Sequence, residues 1–282
     1  MKNILVPTDF SECAGFATEA AIALAKKTGA QIHFMHLTSV PADWLYLMDY
    51  AENIYPEVQT RVKKANIALT ALVRKAEDAG ISAKKFLCYD ESFKVILYHL
   101  ERHGNDFIVM GSHGLGGFKQ YLIGSLSQKV ARLAPVPVLM VKNPVHEFQL
   151  SSIVFTSDFS EEAIPQYAEV AGFCKAVHAS LHLVYINNPM YFTDSDTISK
   201  KMEPFTAMFP EIIGSVSTFN YQSLDGGLVR FCKQLNPDMI ALIIHRKRPL
   251  FNNLIDYALN NSGKPVLYIN KEVVITEQLL AH

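Results

Sequence analysis

The sequence has 282 residues, 49% of them hydrophobic and 19% charged, a balance suited to two ordinary globular domains and to neither a disordered nor a membrane-embedded chain. Its 26 Lys and Arg stand against 27 Asp and Glu, a net charge of −1, so no polyanion-attracting field exists and nucleic acid is excluded as the expected partner. Cys13, Cys88, Cys174 and Cys232 form no CxxC pair and no zinc-ligand spacing, which suggests buried thiols in a reducing compartment and no metal centre.

The chain starts with a short apolar run, Ile4-Leu5-Val6, that ends at Pro7-Thr8-Asp9. It is too short for a secretory leader, and no later run reaches the roughly 18 apolar residues of a membrane span, so a cytoplasmic protein is expected. A strand is predicted over 2–7. Ser11 followed by Glu12 marks a helix start, and the helix is predicted over 12–28. A second strand over 31–38 carries His33, which is expected to be a structural histidine, as are His178 and His182. The aromatic segment from Trp44 to Tyr50 comes next, followed by a helix over 57–80, a strand over 83–88, a helix over 92–103, a strand over 106–111, a helix over 125–134 and a strand over 137–141. Short apolar runs alternating with segments of helical period predict a parallel sheet covered by helices on both faces. A linker is predicted near 143–151.

Beyond the linker the pattern repeats. Ile4 to Ser11 aligns with Ile153 to Ser160, and Ile32 to Leu37 with Leu181 to Ile186, both at an offset of 149 residues. Ser160 occupies the position of Ser11 and is expected to cap a helix. Asp106 to Met110 resembles Asp238 to Leu242 at an offset of 132, and Pro137 to Val141 resembles Pro265 to Ile269 at 128. The offset of 149 shared by the first two strands is the mark of duplication. The second copy is four residues shorter between its fourth and fifth strands. Two domains follow, 1–143 and 151–271.

The segment where the copies diverge carries the chemistry. After its fourth strand the first copy reads Gly111-Ser112-His113-Gly114, nine residues, then Gly124-Ser125 opening a helix. Glycines admit phosphates close to the backbone, a helix start offers unpaired N–H groups with a favourable dipole, and Ser125 and Ser127 add hydroxyls. Where strand order reverses, this loop would face Pro7-Thr8-Asp9, whose carboxylate suits ribose hydroxyls. Asp9 also reads as a helix-capping carboxylate, because Asp158 persists in the copy without the loop. His113 has no partner carboxylate and reads as a spacer, while Lys119 reads equally as a phosphate contact and as a solvated lysine. The second copy has His245-Arg246-Lys247-Arg248 and Asn252-Asn253 in place of the glycines.

The spacing Gly-x2-Gly-x9-Gly-Ser resembles the ATP-binding motif of the universal stress protein family. The Pro7-Thr8-Asp9 strand end and the Pro137-Val138 strand start resemble that family too, and the second copy resembles it in its strands alone. The resemblance implies two tandem Rossmann-like domains of the adenine nucleotide alpha hydrolase-like type. Each would be a five-stranded parallel sheet of order 3-2-1-4-5 flanked by helices, with paired units joined through their last strands. It implies adenosine near Asp9 and Leu37, phosphates over Gly111, Gly114, Gly124, Ser125, Leu126 and Ser127, and Pro7, Thr8, Met110 and His113 at the same site. ATP, with or without Mg, is the implied ligand of the first domain and none is expected in the second. A stress-responsive regulator with a protein partner, able to form homodimers, is implied ahead of a slow ATPase or autophosphorylating enzyme. A scaffold without nucleotide, its apolar fifth strands pairing edge to edge, is the remaining alternative.

Overall fold

A computed structural model describes residues 1–44, 46, 54–112, 125–144, 150–244 and 260–270. In the first half, β1 (Asn3–Pro7), β2 (Gln31–Leu37), β3 (Ala83–Cys88), β4 (Phe107–Gly111) and β5 (Val138–Val141) alternate with α1 (Glu12–Thr28), α2 (Pro56–Asp78), α3 (Phe93–His103) and α4 (Ser125–Leu133). In the second half, β6 (Ser152–Thr156), β7 (Ser180–Asn187), β8 (Ile213–Asn220), β9 (Met239–Ile244) and β10 (Val266–Asn270) alternate with α5 (Ile164–Val177), α6 (Ser195–Met208) and α7 (Leu224–Leu235).

All ten strands lie in one sheet of order β3-β2-β1-β4-β5-β10-β9-β6-β7-β8. Each half has the order 3-2-1-4-5, and every pairing within a half is parallel. The two fifth strands meet antiparallel at the centre, with Leu139 opposite Leu267 and Met140 opposite Val266. The expected joining of last strands is therefore made inside one chain. It removes two apolar edges that would otherwise template aggregation. The edges that remain are β3, with Lys84 and Lys85 on it, and β8, whose residues alternate between half-buried and exposed.

The core does not stop at the seam. On one face of the sheet, a single cluster joins Ile4, Ala21 and Leu139 of the first half to Phe155, Tyr167 and Leu267 of the second. Phe107 stacks on Phe173 across the boundary at 5.5 Å. On the other face Met110, Val130 and Met140 share a cluster with Val266, Tyr268 and Ile240.

Local chemistry sets the helix ends. Ser11 Oγ accepts from Ala14 N–H at 3.3 Å, and Gly29, at φ 71°, closes α1. Ser160 departs from the expected capping role. Its hydroxyl donates to Asp158 Oδ1 at 3.0 Å, and the second half enters its first helix through a 3-10 turn, Glu161–Ala163, before α5. Pro165 in the first turn of α5 supplies the reason, since its fixed φ suits a helix start and moves the start beyond Ser160. Cys174 and Cys232 are buried as expected, and burial pushes both thiols up to about 12. Cys13 and Cys88 are only half-buried, a correction to the expectation for all four.

The histidines resolve in a comparable way. His33 Nδ1 lies 3.3 Å from Asn105 Oδ1 and its Nε2 lies 2.9 Å from Gln31 Oε1. His182 Nδ1 lies 2.9 Å from Ser215 Oγ, and His178 closes α5 at φ 59°. His99, which the sequence did not single out, is buried against His33, His103 and Phe86, and its Nε2 has no partner among the described residues. Burial first, and then the neighbouring His103 and His33, lower its pKa from 6.5 to about 4. The unfolded chain thus takes up the proton before the folded one. His99 is neutral in both states above pH 6.5, and stability is lost as pH falls from 6.5 toward about 4, on the order of 1–3 kcal/mol in all. We expect His99→Leu to flatten the pH dependence of the urea midpoint across that window. A profile as steep as that of the unsubstituted chain would disprove the assignment.

Candidate functional site

In a sheet of this order the topological switch lies between β1 and β4, and sheets of this kind take their ligands in a crevice beyond the carboxyl ends of those strands. Ile4 pairs with Phe107 and Leu5 with Ile108, so Pro7, Thr8 and Asp9 emerge beside Met110, Gly111 and Ser112. Helices that follow parallel strands start at this same edge. The starts of α1 and α4 therefore flank the crevice, and their dipoles favour an anion there.

The β1 end is held from several sides. Thr8 N–H donates to Met35 O at 2.8 Å, and His36 Nδ1 donates to Thr8 O at 2.7 Å. Thr8 Oγ1 accepts from Phe10 N–H at 3.0 Å, and Asp9 Oδ1 accepts from Ser11 N–H at 3.0 Å. Phe10 sits at φ 62° with its ring 4.5 Å from that of His36. The second half builds the same turn. Ser157 Oγ accepts from Phe159 N–H, Asp158 Oδ1 accepts from Ser160 N–H, and Phe159 has φ 49°. The capping bond of Asp9 is thus common to both copies and independent of the glycine loop.

Gly111 is fixed by packing. A Cβ there would lie 2.8 Å from Cys13 C, 2.9 Å from Cys13 O and 3.0 Å from Ala14 N, so only glycine lets the end of β4 lie against the first turn of α1. Ser112 is fully buried and its N–H donates to Val141 O at 3.1 Å. Ser127 is buried, and its hydroxyl donates to Gly111 O at 3.0 Å, tying the start of α4 to the end of β4. Met110 is buried, while Leu37 and Leu126 are half-buried against the same core. Gly124 and the loop residues His113, Gly114 and Lys119 lie outside the described residues, as does the side chain of Ser125. So do Arg246 to Arg248 and Asn252-Asn253 of the second copy.

The sequence reading missed a polar brace at the β2 end. Arg61, from α2, donates to Thr38 Oγ1 at 3.2 Å and to Ser39 O at 2.5 Å, and Ser39 N–H donates to Glu91 at 3.1 Å. This brace fixes the chain just beyond Leu37, the last residue of β2. Nothing in the local pattern around Arg61 distinguishes it from a solvated helix arginine.

From the aromatic segment after β2, Trp44 is buried with Val58 in a small cluster, and in the second half Met202 and Phe205 lie in the main core. Met190, Tyr191 and Phe192 are exposed. Among the described residues no helix is long and apolar enough to cross a membrane, and no group of three or more His, Cys, Asp or Glu could hold a metal ion.

The universal stress protein family model matches residues 1–142. A universal stress protein of Bacillus subtilis (strain 168), YxiE, is 31% identical over 149 residues, which cover 50% of this chain and 99% of that protein. Another from Thermus aquaticus is 33% identical over 143 residues, covering 50% and 98%. Among solved structures, a universal stress protein from Archaeoglobus fulgidus DSM 4304 matches with a TM-score of 0.73 at 21% identity, covering 96% of this chain and 98% of that one. At that identity the structural likeness is one of fold.

Proposed function

The chain belongs to the universal stress protein family, and on that premise we propose that it is a stress-response regulatory protein whose first half, residues 1–143, binds ATP with Mg. Residues 151–271 form a degenerate partner domain that supports the first and binds no nucleotide. The observation that carries this reading is the switch point between β1 and β4, flanked by the starts of α1 and α4, at the place where the sequence inserts Gly111-x2-Gly114-x9-Gly124-Ser125. Adenosine would sit by Asp9 and Leu37, beside the Thr38–Arg61 brace, with the phosphates toward α4. Asp9 Oδ1 accepts from Ser11 N–H at 3.0 Å, which fixes the carboxylate at the end of β1.

Both fifth strands are engaged in the internal seam, so a homodimer needs a surface other than these edges. A cytoplasmic location and a protein partner that reads nucleotide occupancy complete the proposal.

Calorimetric titration of the full chain with Mg-ATP, together with identification of nucleotide released on denaturation, tests it. We expect one site per chain. Gly114→Leu and Gly124→Leu should abolish binding, and Arg246→Ala should leave it intact. A nucleotide-free chain that gives no heat with Mg-ATP would refute the proposal.

A further inference from the structure

Helix α4 is held at both ends, and by different halves of the molecule. Near its start Ser127 ties it to Gly111 of its own half. At its last turn the Asn270 amide donates to Ala131 O at 3.1 Å and to Ala134 O at 2.7 Å. Asn270 is the final residue of β10, is buried, and belongs to the second half. Carbonyls in a last turn lack helical partners, and an amide presenting two N–H groups can satisfy two of them at once. Its Oδ1 is buried with no partner among the described residues. An apolar side chain would avoid that unpaired oxygen, so the two donated bonds are what the amide contributes.

The brace has a counterpart in the other direction. Lys142 and Asn143, which follow β5, donate to Asn260 Oδ1 at 3.1 Å and to Gly263 O at 3.3 Å in the second half. Asn270 is an arm of the second half that ends on α4, beside the packing of Val266 and Tyr268 on the same helix. Nine residues of helix span about 13 Å, and a helix moves as a rigid rod. Loss of the bonds at its last turn would let α4 tilt about the Ser127–Gly111 bond, and the N–H groups of its first turn would tilt with it.

We propose that Asn270 is a positioning residue through which the second half sets the orientation of α4 and thereby the ATP affinity of the first half. This rests on the nucleotide reading above. By reciprocity, ATP occupancy must tighten the β10 end of the seam.

The test uses the full chain and a fluorescent N-methylanthraniloyl ATP with Mg. Asn270→Leu keeps the branched shape, adds some bulk and discards both donors, and it should weaken binding about 3- to 10-fold, the worth of roughly one net hydrogen bond. Asn143→Ala loosens the opposite brace and should leave the affinity unchanged. Equal affinity for Asn270→Leu and the unsubstituted chain overturns the inference, as does equal weakening by both variants, which would mean general loosening of the seam. If Asn270→Leu does not fold, amide hydrogen exchange of the unsubstituted chain decides. The probe should slow exchange at Tyr268–Asn270 as well as in α4, and protection of α4 without β10 overturns the inference. A chain that ignores the probe refutes the nucleotide reading and this inference with it. A chain that binds but shows no Asn270 effect refutes the inference alone.

Discussion

Gly111→Val will destabilise the chain by about 3 kcal/mol in the absence of any nucleotide, because the added carbons must displace backbone and not a yielding side chain. The first of them meets Cys13 C at 2.8 Å, Cys13 O at 2.9 Å and Ala14 N at 3.0 Å. Neither wall can retreat cheaply. The end of β4 is bonded through Ser112 N–H to Val141 O and through Gly111 O to the Ser127 hydroxyl. The start of α1 is fixed by the Ser11 cap and by an alanine-rich face buried against the sheet. Gly111→Ala should fall between the unsubstituted chain and Gly111→Val. Urea denaturation at unchanged m-value measures both. A loss below about 0.5 kcal/mol for Gly111→Val, the size of an ordinary surface substitution, would show that the contact is not held. The outcome also separates two reasons for one glycine, since a residue present only to admit phosphate leaves the ligand-free protein untouched.

Leu267→Asp should prevent the chain from accumulating in folded form. Leu267 and Leu139 face each other across the antiparallel seam and both are fully buried. A carboxylate at that point would have to stay ionised without a partner or take up a proton, at a cost of at least about 4 kcal/mol. Leu267→Ala is the graded version, expected to lose about 2–5 kcal/mol. The shape of its unfolding curve is as informative as its midpoint. Both core clusters cross the seam, so the halves should unfold together and Leu267→Ala should shift one cooperative transition. Two transitions, with only the second displaced, would show that the halves are thermodynamically separate and that the seam is a simple docking contact.

The strands and helices were legible because their signals are local. Alternating apolar runs and helical periods placed all five strands of the first half, and its helices to within about two residues, the usual uncertainty of helix ends. The largest difference is at α2, which ends at Asp78 before Gly80 at φ 80°. Retained residues were visible as repeats, but their reasons were not. Asp106 and Asp238 align as strand neighbours, yet each carboxylate accepts backbone N–H groups at the start of the first strand of its half, Lys2 and Asn3 in one case and Ser151 and Ser152 in the other. Asp9 and Asp158 likewise serve the same turn in both copies. Survival of Asp158 beside a missing glycine loop has a structural cause.

By itself, the sequence determined the duplication, the alternation of strand and helix that requires a covered parallel sheet, and the glycine spacing present in one copy only. These are properties of neighbours along the chain, so pattern and spacing suffice to read them. Tertiary structure alone decided that the fifth strands pair within the molecule, that Gly111 is required by α1, that the Ser127 hydroxyl holds α4 to β4, and that Asn270 reaches across the seam to that helix. In most of these, residues about a hundred or more positions apart meet at a distance set by backbone approach and hydrogen-bond direction. No periodicity encodes such a meeting, since each residue alone is an ordinary glycine, serine or asparagine until the sheet brings its partner to it.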